Sequence, residues 1–160
     1  MLLGTRQKYI CISISRPRRF GKTMATEMLA AYYGYAQNTD ILFEGLNVSK
    51  DASYQKHLNK YNCILLNMQE FLSSTSSVEE MLLKIKNRLK NEFNNSYERI
   101  NYLDPDDFVQ VMKDVYTLTN RKFVILIDEW DCLFREYRDD IESQKNMALI
   151  LLLICSGNTP

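Results

Sequence analysis

Two short runs in the chain carry residue types that could handle phosphate and a divalent metal. Ser15 to Thr23 reads S-R-P-R-R-F-G-K-T and follows an apolar, strand-like segment. Roughly a hundred residues later, Phe123 to Asp131 reads F-V-I-L-I-D-E-W-D, in which two acids end an apolar run. A nucleoside triphosphate bound with Mg²⁺ requires a cation for its phosphates, a hydroxyl and a carboxylate for the metal, and a base for water. The two runs supply each of these groups, so they predict an ATP site.

Each of the last three residues of the first run could have a separate role in binding phosphate or metal. Lys22 is a compact charge that can reach the β- and γ-phosphates. Thr23 can offer its hydroxyl to Mg²⁺, and Gly21 allows the backbone to approach a phosphate. The usual pattern, G-x-x-x-x-G-K-[ST], begins with a glycine where this chain has Arg16. Gly-Lys-Thr alone is a weak signal, and a turn with an exposed lysine is the alternative.

The second run strengthens the first. Asp128 ends an apolar strand pattern, where its carboxylate could hold Mg²⁺, and Glu129 could act as general base toward the attacking water. Acids also occur where a strand simply returns to solvent, which is the structural alternative. The order and spacing of the two runs, each preceded by a strand pattern, favour the nucleotide site.

The composition is that of an ordinary soluble globular domain. The 160 residues are 46% apolar and 25% charged, with 20 basic and 20 acidic residues that cancel, so no overall field attracts nucleic acid or anionic lipid. Four cysteines match no metal or redox spacing, which is typical of small buried residues in a reducing cytoplasm. The longest apolar run, Met147–Cys155, is too short to span a bilayer.

Alternating strand and helix patterns predict the elements that position the two runs. Tyr9–Ile14, Asn62–Met68 and Phe123–Ile127 have the β-branched and apolar composition of buried strands. A helical pattern begins at Lys22 and ends at Gly34. Its apolar positions are Met24, Met28, Leu29 and Tyr32. Strand, tight loop and helix is the context that a phosphate loop requires.

Later helices are predicted from their amino-terminal signals. Ser77 with Glu80 forms a capping box, and Asp104-Pro105 gives an N-cap followed by proline. A shorter helix is also expected over Asp51–Lys60. The apolar stripes are Val78, Met81, Leu82, Ile85, Leu89 and Phe93 in the first of these, and Phe108, Val111, Met112 and Val115 in the second. Helices alternating with strands predict an α/β layer fold with a mainly parallel sheet.

Four segments of the chain resemble the bacterial AAA-ATPase-like family, over about Tyr9 to Lys145. They read S-R-P-R-R-F-G-K-T, L-F-E-G-L, L-N-M-Q-E-F and I-D-E-W-D-C-L-F-R-E-Y. Members of that family commonly carry an R-P-R-R-F-G-K-[ST] loop, so Arg16 is the family's own variant. The resemblance implies a P-loop NTPase fold of three αβα layers, with ATP and Mg²⁺ as ligands.

The resemblance also implies the roles of individual residues. Lys22 and Thr23 take the phosphate and magnesium roles, Asp128 is the acid on the metal side, Glu129 is the catalytic base, and Asp131 is a third acid with a structural role. The nucleotide-binding residues would be Arg16, Arg18, Arg19, Phe20, Gly21, Lys22 and Thr23.

The tail departs from the family pattern. The family continues past Gln144-Lys145 to a strand that senses the γ-phosphate and, in full-length relatives, to a restriction-endonuclease-like nuclease domain. This chain reads N-M-A-L-I-L-L-L-I-C-S-G-N-T-P to its end, which we interpret as a partial ATPase domain over residues 1–160, incomplete at the C-terminal end. We expect a helix from about Asp139 to Cys155, a sheet that is gapped or closed by direct pairing of the two site strands, and little ATPase activity.

Two other functions stay open at this point. The chain could be an inactive nucleotide-binding fragment, or a phosphate- or nucleic-acid-binding module that uses the basic patch of Arg16, Arg18 and Arg19. The expected partner is ATP, with a nuclease domain or another protein in full-length relatives. Neither a membrane nor nucleic acid is expected as a partner of this chain alone.

Overall fold

The computed structural model describes residues 21–35, 38–98 and 100–136. These residues group into two compact units. The first, which we call the sheet unit, comprises residues 21–35, 38–67 and 120–128. The second, the helical unit, comprises residues 68–98, 100–119 and 129–136.

Two parallel strands form the centre of the sheet unit. β1 (Asn62–Asn67) pairs with β2 (Phe123–Asp128) in a register that runs from Asn62 opposite Phe123 to Asn67 opposite Asp128. Two of the three predicted strands, those beginning at Asn62 and Phe123, are confirmed. Burial alternates along β1, where Ile64 and Leu66 are buried, while the apolar residues of β2 are half-buried. Helices combined with a parallel strand pair are consistent with the predicted α/β class.

Helix α1 (Lys22–Tyr33) packs against both strands and confirms the helix predicted after the Gly-Lys-Thr run. It ends at Gly34, as predicted, where the backbone becomes extended. Glycine suits this position because a Cβ there would lie 2.7 Å from the carbonyl oxygen of Ala30. The predicted apolar stripe is largely uncovered: Met24, Met28 and Leu29 are 66%, 44% and 37% exposed. Its last four residues, 30–33, are half-buried. The spacing of apolar residues therefore predicted the helix correctly but not which of its residues are buried.

An aromatic cluster closes the carboxyl end of α1. Phe43, from a 3-10 turn at Asp40–Phe43, and Tyr54, from the single-turn helix α2 (Tyr54–His57), are buried around Tyr32. A second 3-10 turn covers Asn47–Lys50. The helix predicted over Asp51–Lys60 is much shorter, because Asp51 Oδ1 accepts the Ser53 N–H at 2.7 Å and forms a local turn instead.

Asn59 ties the end of α1 to the chain that follows. Its amide Nδ2 donates to the carbonyl oxygens of Ala31 (3.1 Å) and Gly34 (2.9 Å), and its Oδ1 accepts the Thr39 N–H at 3.2 Å. The backbone of Asn59 has φ 54, a left-handed conformation that asparagine tolerates better than most residues. One side chain therefore donates to two carbonyl groups at the end of the helix, and the Thr39 hydroxyl also donates to the carbonyl of Ala31, at 2.8 Å.

The helical unit contains four helices: α3 (Met68–Leu72), α4 (Val78–Ser96), α5 (Phe108–Thr119) and α6 (Cys132–Glu136). Helix α3 packs against α4 and α6, and α4 against α5. The predicted stripe of α4 is confirmed at Val78, Met81, Ile85, Leu89 and Phe93, which are all buried, whereas Leu82 is half-buried.

The two predicted helix starts have different outcomes. Ser77 Oγ accepts the Glu80 N–H at 3.1 Å, as predicted, while the Glu80 carboxylate accepts from the N–H and hydroxyl of Ser76, which lowers the pKa of Glu80. The start at Asp104-Pro105 is wrong. Asp104 Oδ1 accepts the N–H groups of Asp106 and Asp107 in a turn, and Asp107 caps α5 by accepting the Val109 N–H at 2.9 Å. The helix begins at Phe108, and its buried face is Val111, Met112 and Val115, with Phe108 half-buried.

Two predicted elements, the strand at Tyr9–Ile14 and the helix at about Asp139–Cys155, lie outside the described residues. Among the helices that the structure describes, none has both the length and the apolar character needed to cross a membrane.

Replacing Asn59 with alanine should lower the free energy of unfolding by about 1–3 kcal/mol, because the carbonyl groups of Ala31 and Gly34 lose the hydrogen bonds from the Asn59 amide. Urea denaturation followed by circular dichroism measures the change. Asn59→Gly is the matched control: it removes the same side chain but tolerates the positive φ, so it should be about 1 kcal/mol more stable than Asn59→Ala. Wild-type stability in Asn59→Ala would contradict the bridging role.

Candidate functional site

The predicted phosphate run is described from Gly21 onward, and Arg16, Arg18, Arg19 and Phe20 lie outside the described residues. Gly21 has φ 71 and ψ 24 at the N-cap of α1. An added Cβ at Gly21 would meet no atom within 4 Å, so the backbone conformation, and not crowding, is what favours glycine. Lys22 is half-buried and Thr23 is exposed, as the first two residues of the helix.

The amino end of α1 has the properties of an anion site. The first helical hydrogen bond runs from the Ala25 N–H to the Gly21 carbonyl at 2.9 Å. The N–H groups of Lys22, Thr23 and Met24 precede that bond and have no acceptor inside the helix. The first turn, which is fully described, contains no acidic side chain. The helix dipole and these N–H groups therefore favour a bound anion such as phosphate.

The direction of α1 indicates which edge of the strand pair its amino end approaches. Its carboxyl end lies beside Tyr61, just before β1: the Tyr61 N–H donates to the Tyr33 carbonyl at 3.0 Å, and the Tyr35 N–H donates to the Tyr61 carbonyl at 2.9 Å. A helix of 12 residues spans about 18 Å, and a strand of six residues spans roughly 20 Å. Because α1 contacts both strands, its amino end points toward the edge where β1 and β2 end.

Asp128 lies at that edge. It is the last residue of β2, pairs in register with Asn67 of β1, and is 7% exposed. An ionised carboxylate at that depth requires hydrogen bonds, an opposite charge or a metal ion. The sheet unit thus directs Gly21, Lys22 and Thr23 toward the end of the sheet at which this predicted metal-side acid is buried.

The acidic turn of the helical unit, residues 129–131, begins directly after β2. Glu129 has φ 52, a left-handed conformation that costs a residue with a side chain about 1–2 kcal/mol. Strained residues of this kind tend to cluster at functional sites. Its carbonyl accepts the Cys132 N–H at 3.0 Å. Cys132 is 2% exposed, and burial raises the pKa of its thiol to about 11. The thiol therefore serves as a buried anchor for the turn and not as a nucleophile.

Arg135 of α6 contacts both acidic residues of this turn, Glu129 and Asp131. Its Nη1 lies 2.9 Å from Asp131 Oδ2, and its Nη2 lies 3.5 Å from Glu129 Oε2. The sequence interpretation gave Asp131 a structural role and passed over Arg135. The signal for Arg135 was its spacing of four residues from Asp131, which places the two side chains on one face of a helix.

The side chains present fit Mg²⁺ bound together with ATP. Across residues 21–35, 38–98 and 100–136, no group of three or more His, Cys, Asp or Glu side chains forms a metal cluster. Such a cluster is not required, because Mg²⁺ with a nucleotide takes one or two protein oxygens and fills its other positions with phosphates and water. The Thr23 hydroxyl and the Asp128 carboxylate are oxygen donors of the kind that Mg²⁺ prefers.

A protein-family model with the description Predicted AAA-ATPase matches residues 2–152 of the chain. No curated protein and no solved structure matches it. The match covers nearly the whole of the 160-residue sequence and agrees with the resemblance found in the four sequence segments. It supports nucleotide binding, while the roles of the individual site residues stay predictions.

Proposed function

Since the chain belongs to the predicted AAA-ATPase family, we propose that it binds ATP with Mg²⁺ on a P-loop NTPase fold of three αβα layers. One observation carries the proposal: the amino end of α1, with its Gly-Lys-Thr start, points toward the strand edge at which Asp128 is buried. Phosphate loops combine these features, a helix amino end for the phosphates and an acid at the end of a neighbouring strand for the metal.

In the proposed complex, the start of α1 holds the phosphates. The Lys22 ammonium lies between the β- and γ-phosphates as a point charge. The N–H groups of the first helical turn donate to the same oxygens, aided by the helix dipole. We also assign Arg16, Arg18, Arg19 and Phe20 to the nucleotide, on the resemblance of the loop to its family pattern.

Thr23 and Asp128 would hold the metal side of the complex. The Thr23 hydroxyl is a direct ligand in this proposal, and the Asp128 carboxylate binds directly or through water. When bound, Mg²⁺ offsets the negative charge that builds on the phosphate oxygens during transfer.

Hydrolysis, where it occurs, would use Glu129 as general base. A water oxygen attacks the γ-phosphorus, the water proton passes to a Glu129 carboxylate oxygen, and the bond from the γ-phosphorus to the bridging oxygen breaks to release ADP. The left-handed backbone of Glu129 supports this role, because a conformation that costs stability is retained most often where it serves function. The nuclease domain of full-length relatives stays a prediction.

Lys22→Ala should weaken ATP binding roughly tenfold to hundredfold, because a charge-assisted contact contributes about 1.5–3 kcal/mol. Isothermal calorimetry with Mg²⁺ present measures the change. Lys50→Ala is the matched control: it removes the same charge from an exposed 3-10 turn and should bind ATP as the wild type does. Equal affinities in Lys22→Ala and wild type would refute the phosphate site.

Salt-sensitive binding to random DNA that ATP does not displace would favour a nucleic-acid module instead.

Glu129→Gln should bind ATP undiminished but hydrolyse it about 10²–10⁴-fold more slowly, because the amide keeps the shape of the side chain and cannot accept the proton. Single-turnover assays with protein in excess over labelled ATP detect slow turnover. Glu136→Gln, at the exposed end of α6, is the control and should leave the rate unchanged. A Glu129→Gln protein with the wild-type rate would show that another group is the base.

A further inference from the structure

We propose that Arg135 is a positioning residue that orients the Glu129 carboxylate by bridging it to Asp131. The inference rests on the proposed function, in which Glu129 is the base for the attacking water. It assigns a role to a further residue of the I-D-E-W-D-C-L-F-R-E-Y segment. This residue, Arg135, follows the third acid, Asp131, by four positions.

The bridge uses both terminal nitrogens of one guanidinium. Arg135 Nη1 is 2.9 Å from Asp131 Oδ2, a short charge-assisted contact, and Nη2 is 3.5 Å from Glu129 Oε2. The guanidinium is planar and rigid, so anchoring one nitrogen on Asp131 fixes the direction in which the other is presented. The longer contact to Glu129 restrains that carboxylate while leaving it able to shift toward a water molecule.

The backbone around the bridge is held by its own contacts, so the part of Glu129 that Arg135 can orient is the side chain. The Cys132 N–H donates to the Glu129 carbonyl at 3.0 Å, Cys132 is buried, and α6 packs against α3. The Glu129 side chain is 31% exposed, and a glutamate has three rotatable torsions. The contact with Arg135 is one that limits where its carboxylate points.

Arg88 shows what an arginine bridge without this role looks like. It also contacts two acids, Glu70 at 2.6 Å and Glu92 at 3.3 Å. Both of those acids lie within regular helices, and neither is a candidate for chemistry. Arg135 differs because one of its acids is the left-handed residue proposed as the base. Arg88 therefore provides a control of the same charge, residue type and number of ion pairs.

The test compares ATP affinity with the single-turnover rate at saturating ATP. Arg135→Ala should lower the rate about tenfold to hundredfold, since a misdirected catalytic group loses rate on that scale, while the Kd for Mg-ATP stays within twofold of wild type. Arg135→Lys keeps the charge but cannot reach both acids in the fork geometry, so its rate should lie between the two. Arg88→Ala should keep both the rate and the Kd of the wild type.

A double-mutant cycle separates positioning from general loss of structure. In the Glu129→Gln background, Arg135→Ala should cause no further loss of rate, because the group that it orients is already inactive. An additive loss, an unchanged rate in Arg135→Ala, or a Kd that weakens along with the rate would overturn the inference.

A wild-type chain that binds ATP through Lys22 without any turnover would overturn it too, and would leave the proposed binding function intact. Loss of the Lys22 dependence would instead count against the proposed function itself.

Discussion

The parallel pairing of β1 with β2, with α1 packed on both strands, is the constraint on which the rest of the account depends. Parallel strands end at the same edge of their sheet, so the pairing of Asn67 with Asp128 brings a buried acid to that edge. A helix that crosses back over the strands directs its positive amino end toward the same place. The opposite end of α1 is held by Asn59 and by backbone bonds with Tyr61. The fold therefore directs the amino end of α1 and the residue position of Asp128 toward one edge of the sheet through backbone geometry.

Much of the described fold could be predicted from patterns that reflect strong local or packing forces. The strands at 62–67 and 123–128 carry continuous apolar composition, and α4 has both a cap and a complete apolar face. Where prediction went wrong, short polar side chains competed with the helix for backbone N–H groups. Asp51 and Asp104 each bind the backbone two residues further on, which shortens the first predicted helix and delays α5 until Asp107 can cap it. Burial of α1 could not be predicted, because helical spacing does not reveal which face has a neighbour.

The candidate site, too, could be predicted from the sequence only in part. Gly21, Lys22, Thr23 and Asp128 were predicted from motif spacing, and the structure gives them a helix start and a strand end. The left-handed backbone of Glu129 and its contact with Arg135 could not be predicted. Neither depends on a recognisable run of letters: the first is a backbone conformation that glutamate rarely adopts, and the second joins side chains six residues apart. Glu129 lies in the turn that follows β2, and Arg135 lies in helix α6, which begins directly after this turn.

The central claim, that the amino end of α1 receives the phosphates of ATP, is tested most directly by amide hydrogen exchange resolved by NMR. Saturating Mg-ATP should slow exchange at the amides of Lys22, Thr23 and Met24, which have no acceptor inside the helix. The first turn of α4 is the internal reference, because Ser77 already caps it, and its exchange should not change. Unchanged exchange at Lys22 to Met24 while ATP is bound, or protection confined to other segments, would contradict the account.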